Sequence, residues 1–127
     1  MNYLIDTHVI IWLANDSYEL PKKIKQLIEQ PEHDIYVCSV SLWEIAIKMN
    51  LGKLKLDLPL NKLLSDIKTY GFNILQIEND YLNKLSDLPY IHKDPFDRLL
   101  ITTALAEDLV IITADENIQK YNVPWFW

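Results

Sequence analysis

The chain has 127 residues, about one domain, of which 50% are apolar and 24% charged, with only 2 glycines and 6 prolines. That composition excludes collagen-like, low-complexity and long disordered chains, and it permits a core without disulfide or metal staples. The formal charge is −6 and uneven: residues 1–77 carry 9 acids against 8 lysines, residues 78–127 carry 9 acids against 4 bases. A broad basic footprint for nucleic acid is therefore excluded, and the positions of the carboxylates matter more than their number.

Along the chain, residues 2–5 form a short apolar strand with no basic segment before it, and the apolar run 9–14 is only six residues long. Neither a signal peptide nor a membrane span is expected. A helix is predicted over 8–14, then another over 21–29 with Pro21 in its first turn and Ile24, Leu27 and Ile28 on one side. Residues 34–38 read as a second strand. Its Cys38 is the single cysteine, so no internal disulfide is possible. It is expected to pack as a small hydrophobe in a reducing, cytoplasmic compartment.

Leu42, Ile45, Ala46 and Met49 give a helix over 41–51 that stops at Gly52, and 53–59 reads as extended or looped. A helix over 60–70 stops at Gly71, and 72–77 reads as a strand buried on both sides. A short helix over 80–88 precedes Pro89, and a longer one runs from the N-cap pair Asp94-Pro95 to about Glu107. The β-branched run 109–113 is the last clear strand, and the apolar tail 123–127 is expected to add a strand or cover a sheet edge. Strands alternating with helices indicate one α/β domain over 1–127 with a mostly parallel sheet of four to five strands.

Ligands of open parallel sheets bind at the carboxyl ends of the strands, where strand order reverses. Asp6 directly follows the first strand, Asp115 follows the last by two residues, and Glu44 sits in the first turn of the helix after the second. Asp94 and Asp97 open the helix before the final strand. Each acid also has a local reading. Asp6 and Asp94 fit N-caps, Ser41-x-x-Glu44 fits a capping box with Glu44 placed to pair with Lys48, Asp97 complements a helix dipole, and Asp115 fits a turn. Only a shared function requires a shared edge. Converging carboxylates repel unless a cation joins them, and a hard divalent ion, one or two of them, would suit oxygen donors. No Cys/His spacing for zinc and no phosphate-binding glycine loop are present, and His8, His33 and His92 have no ligand-like spacing.

Four segments in this order resemble the PIN-domain nucleases, most closely the VapC-like toxins of bacterial type II toxin–antitoxin systems. They are Leu4-Ile5-Asp6-Thr7-His8, the stretch from Ser39 to Lys48 containing Trp43-Glu44-Ile45, the stretch from His92 to Ile101 containing Asp94-Pro95-Phe96-Asp97-Arg98, and Ile112-Thr113-Ala114-Asp115. The resemblance spans residue 2 to about residue 127. It implies an α/β/α sandwich and Mg²⁺- or Mn²⁺-dependent hydrolysis of RNA, with Asp6, Glu44, Asp97 and Asp115 as the catalytic, metal-holding acids. Asp94, Thr113 and Thr7 are implied as supporting residues. A protein antitoxin covering the active-site groove and a toxin homodimer are implied as partners. Trp12, Trp43, Met49 and Leu51 are candidates to line an apolar groove, although each fits ordinary core as well. Lys48, Lys53, Lys55, Lys62 and Lys68 form a loose basic stretch. Lys48 and Lys53 from that stretch, together with Arg98, are the candidates for RNA contact; Arg98 is also placed to pair with Asp94 or a nearby acid. Two other readings share the same site: a PIN-type nuclease of RNA maturation or of DNA, and a catalytically silent PIN-fold interaction module.

Overall fold

The computed structural model describes residues 1–127. Its elements in chain order are β1 (Asn2–Ile5), α1 (Thr7–Ala14), α2 (Lys22–Glu29), β2 (Asp34–Cys38), α3 (Ser39–Asn50), α4 (Leu60–Thr69), β3 (Asn73–Leu75), α5 (Asn79–Ser86), α6 (Pro95–Glu107), β4 (Val110–Ile112), α7 (Glu116–Gln119) and β5 (Trp125–Phe126). The strands form one parallel sheet in the order β3-β2-β1-β4-β5. Strand order reverses at β1, so the crevice at the carboxyl ends of β1 and β4 is the topological switch point.

Both faces of the sheet are covered, which is why its strands read as unbroken apolar runs. Tyr3, Ile5, Ile35 and Val37 pack with Val9 and Ile10 of α1, Ile24 and Ile28 of α2, and Leu63 and Ile67 of α4. Leu4 and Ile111 point the other way, onto Tyr81 of α5, Leu100, Ile101 and Ala104 of α6, and Ile118 of α7. Leu4, Ile5, Ile111 and Ile112 are fully buried, each contributing about 1.5–3 kcal/mol over exposure. A cleft of about 730 Å³ with an apolar floor opens between α1, α2 and α4, and none of the candidate acids lines it. Cys38 is buried, and burial pushes its thiol up to about 12, as expected of a packed hydrophobe. No helix is long and apolar enough to cross a membrane.

The structure corrects several local expectations. α3 begins at Ser39, directly on the end of β2, with Cys38 in extended conformation as its N-cap and no side-chain cap. Ser41 is therefore inside the helix and buried, and Glu44 falls in the second turn, so there is no capping box. β3 is a three-residue edge strand whose Asn73 is exposed, because only β2 pairs with it. β4 is likewise shorter than its apolar run. The turn at Asp115 is the N-cap of α7, a helix of four residues. The tail does add a strand: β5 pairs in parallel with β4. Gly52 and Gly71, just past α3 and α4, both take positive φ (71° and 79°). α6 ends differently, on Asp108 at φ 55°, a left-handed position held by a residue with a Cβ.

Candidate active site

The register of β1 on β4 builds the centre of the site. Ile5 stands opposite Ile112, and the N–H of Asp6 continues the ladder to Ile112 O at 3.2 Å. Asp6 and Thr113 thus emerge side by side. The Thr113 hydroxyl donates to Asp6 Oδ2, and the N–H of Val9 donates to Oδ1 at 2.9 Å, so Asp6 also caps α1. Asp6 is 3% exposed. Burial pushes its carboxyl above the usual range, the Thr113 and Val9 hydrogen bonds and His8 pull it back, and Asp115 pushes it further up. Asp115 is half-buried; its N–H donates to Thr113 Oγ1 at 3.0 Å and its carboxylate caps Asn117 N at 2.8 Å.

Glu44 reaches the site from α3 and is also 3% exposed. Thr7 Oγ1 donates to Glu44 Oε1 at 2.8 Å, and Lys48 Nζ lies 2.6 Å from Oε2, one helical turn on. That hydrogen bond raises the Lys48 ammonium above the ordinary lysine range, and the fields of Asp94 and Asp97 add to it. Lys48 is therefore a cation inside the acidic cluster.

Asp97 comes from the first turn of α6. Asp94 caps that helix, accepting from Phe96 N (2.9 Å) and Asp97 N (3.1 Å), with Pro95 behind it. Asp97 Oδ2 lies 3.1 Å from His92 Nε2. Burial first, then the repulsion of Asp94, Asp115 and Glu44, pushes the Asp97 carboxyl up to about 6 against the His92 hydrogen bond. The structure thus brings Asp6, Glu44, Asp97 and Asp115 into one field, with Asp94, Thr7 and Thr113 among them. No group of three or more His, Cys, Asp or Glu side chains is arranged to hold an ion as they stand.

The other candidates fall elsewhere. Arg98 does not pair with Asp94. Its guanidinium donates to Pro89 O (3.0 Å), Leu88 O (3.3 Å) and the Tyr121 hydroxyl (3.0 Å), because the turn before α6 folds back over it. Lys53, Lys55 and Lys68 are exposed, and Lys62 pairs with Asp66. Trp12 and Met49 pack against the core below α1, while Trp43 and Leu51 are exposed. Trp43, beside Glu44, meets Phe96, beside Asp97, edge to face at 5.5 Å. Two residues of the network are not legible as such in the sequence. His92 has no ligand spacing, and Tyr121 lies 29 residues away, in no motif.

Known proteins share this architecture. The chain is 25% identical over 125 residues to Ribonuclease VapC22 of Mycobacterium tuberculosis, covering 95% of this chain and 92% of that protein. Its fold matches that of VapBC2 from Rickettsia felis, solved bound to a promoter DNA fragment, with TM-score 0.76, 16% identity and coverage of 100% and 99%. It also matches a toxin-antitoxin complex from Klebsiella pneumoniae, with TM-score 0.66, 19% identity and coverage of 98% and 96%. The family model of the PIN domain matches residues 3–124, nearly the whole α/β/α unit with its acidic switch point, and the chain belongs to the PIN domain family.

Proposed function

We propose that the chain is a divalent-metal-dependent endoribonuclease and the toxin of a type II toxin–antitoxin pair. The observation that carries this reading is the crowding of carboxylates at the switch point: Asp6 and Glu44 are buried there with Asp97 and Asp115 half-buried beside them, and burial with the neighbouring acids pushes the Asp97 carboxyl upward. Such a set ionises fully only beside added positive charge. Lys48 supplies part of it from within the protein.

The donor set fits a hard divalent ion, Mg²⁺ or Mn²⁺, because every donor is oxygen. Asp6, Glu44, Asp97 and Asp115 would hold it. An open arrangement suits Mg²⁺, which keeps several waters and commonly uses one or two carboxylates with substrate phosphates. When bound, the ion supplies polarisation of the phosphoryl oxygens and activation of water for attack at phosphorus. The residues around it keep the donors in place. Thr113 and the Val9 N–H fix the two oxygens of Asp6, Thr7 fixes Glu44, and Asp94 fixes the backbone from which Asp97 projects. Lys48 is the cation best placed to meet a substrate phosphate, with Lys53 on the exposed loop beyond α3.

RNA is the proposed substrate because the relative from Mycobacterium tuberculosis is named a ribonuclease. A protein antitoxin is the proposed partner because the Klebsiella pneumoniae neighbour is a toxin-antitoxin complex. A homodimer and a cytoplasmic location belong to the same reading. The test is cleavage of a mixed RNA pool with Mg²⁺ or Mn²⁺ and with chelator, read by end mapping. Discrete ends that need the metal and vanish in Asp6→Asn and Asp97→Asn are expected. Undiminished cleavage by either folded variant would overturn the assignment.

A further inference from the structure

A hydrogen-bonded chain runs from Arg98 through Tyr121 and His92 to Asp97. The Tyr121 hydroxyl, on a side chain buried against the His92 ring, accepts from Arg98 Nη1 at 3.0 Å and from the His92 backbone N–H at 3.2 Å. Both of those groups can only donate. The phenol has a single proton left to give, and two acceptors are in view: His92 Nδ1 at 2.8 Å and His92 O at 3.5 Å. Distance selects Nδ1. Nδ1 is then an acceptor, and the ring N–H is the one on Nε2, 3.1 Å from Asp97 Oδ2. A proton on Nδ1 would instead aim a third donor at one phenol oxygen. Arg98 is itself anchored by Pro89 O and Leu88 O and lies over the Tyr90 ring at 4.9 Å.

We propose that Tyr121 is a positioning residue: its hydroxyl, oriented by Arg98, donates to His92 Nδ1 and anchors the ring with Nε2–H on Asp97 Oδ2, which leaves Oδ1 as the oxygen for the divalent ion. Outer partners of this kind fix the rotamer and basicity of a ligating group, and their loss typically costs about 10–100-fold in metal affinity. The hydrogen-bond chain stands on the geometry alone; its consequence for the ion rests on the proposed function.

The experiment has two readouts, neither of them nuclease activity. In the ¹⁵N-labelled, metal-free protein near neutral pH, long-range ¹H–¹⁵N spectra should show His92 protonated on Nε2. In Tyr121→Phe the Asp97 carboxylate still favours Nε2–H, but the ring loses its second anchor, and Mn²⁺ affinity, read by electron paramagnetic resonance, should fall about 10–100-fold. His92→Gln, whose amide reaches as far as Nε2, should keep affinity within a few-fold, whereas the shorter His92→Asn should lose it. The proposal is overturned by an Nδ1–H tautomer in the parent chain, or by Mn²⁺ affinity indifferent to Tyr121→Phe and His92→Asn. If Tyr121→Phe does not fold, the Gln and Asn pair at position 92 decides. A parent chain that binds no Mn²⁺ would overturn the metal assignment, and the tautomer would still decide the hydrogen-bond chain.

Discussion

Thr113 gives its hydroxyl proton to Asp6 Oδ2 across the paired ends of β1 and β4, and the hydroxyl oxygen in turn accepts the N–H of Asp115. One fully buried hydroxyl therefore ties together two acids that are 109 positions apart in the chain. Thr113→Val keeps the shape and removes the link. It should leave Asp6 with a buried, unpartnered oxygen, at a cost of about 1–3 kcal/mol. Denaturant unfolding of the two proteins measures this; a change below a few tenths of a kcal/mol would mean that Asp6 finds another donor.

The acidity of Asp97 predicts how stability depends on pH. An unfolded aspartate titrates near 3.8 and the folded one near 6, so between those values the folded state binds more protons. Stability should therefore fall as pH rises from about 4 to about 6 on account of this group, and its penalty, on the order of 1–3 kcal/mol, should persist at pH 7. Asp97→Asn still offers His92 an acceptor oxygen but carries no charge. It should be more stable than the parent at pH 7, with a flatter pH profile over that window, while losing cleavage. A variant less stable than the parent at pH 7 would contradict the repulsion described at the switch point.

Lys48 neutralises Glu44 from within the same helix. Lys48→Met should strand a buried carboxylate with only the Thr7 hydroxyl as partner. Removing one partner of a fully buried pair costs about 3–5 kcal/mol, but the Lys48 side chain is 39% exposed, so about 1–2 kcal/mol is expected after solvent screening. The double variant Lys48→Met/Glu44→Gln should recover most of the loss. A double-mutant cycle with zero coupling energy would show that the pair does nothing for stability.

Asp108 offers a test remote from the site. It terminates α6 at φ 55° and is exposed. Asp108→Gly should relieve the left-handed backbone at that cap and stabilise the protein by about 0.5–1 kcal/mol, seen as a higher melting temperature with cleavage unchanged.

Much of this architecture can be read from the chain because the strands are buried on both faces, and continuous apolar runs such as Val110 to Ile112 announce themselves. Asp6 and Asp115 come just after strands, so parallel pairing alone sends them to one edge. Asp94 is legible as a cap because Pro95 stands next to it. The Ser41–Glu44 pattern misleads because a helix can start on the last strand residue without any side-chain cap, and nothing local signals that at Cys38. The Arg98–Tyr121–His92 chain is invisible in the sequence because it depends on where the turn after α7 lands against α6, a matter of tertiary packing with no sequence period.

The direct passage of β2 into α3 makes the two acids delivered by helices unequal before insertion and deletion. Each residue added to a helix rotates its downstream side chains by about 100° and advances them by about 1.5 Å. One extra amino acid between Cys38 and Ser39 has no slack to absorb it, and would swing Glu44 away from Thr7 while leaving the rest of the sheet intact. Asp97 lies beyond an irregular stretch from Asp87 to Asp94, where length can change without rotating α6. Length variation among descendants of this sequence should be purged at the first junction and accumulate near the second.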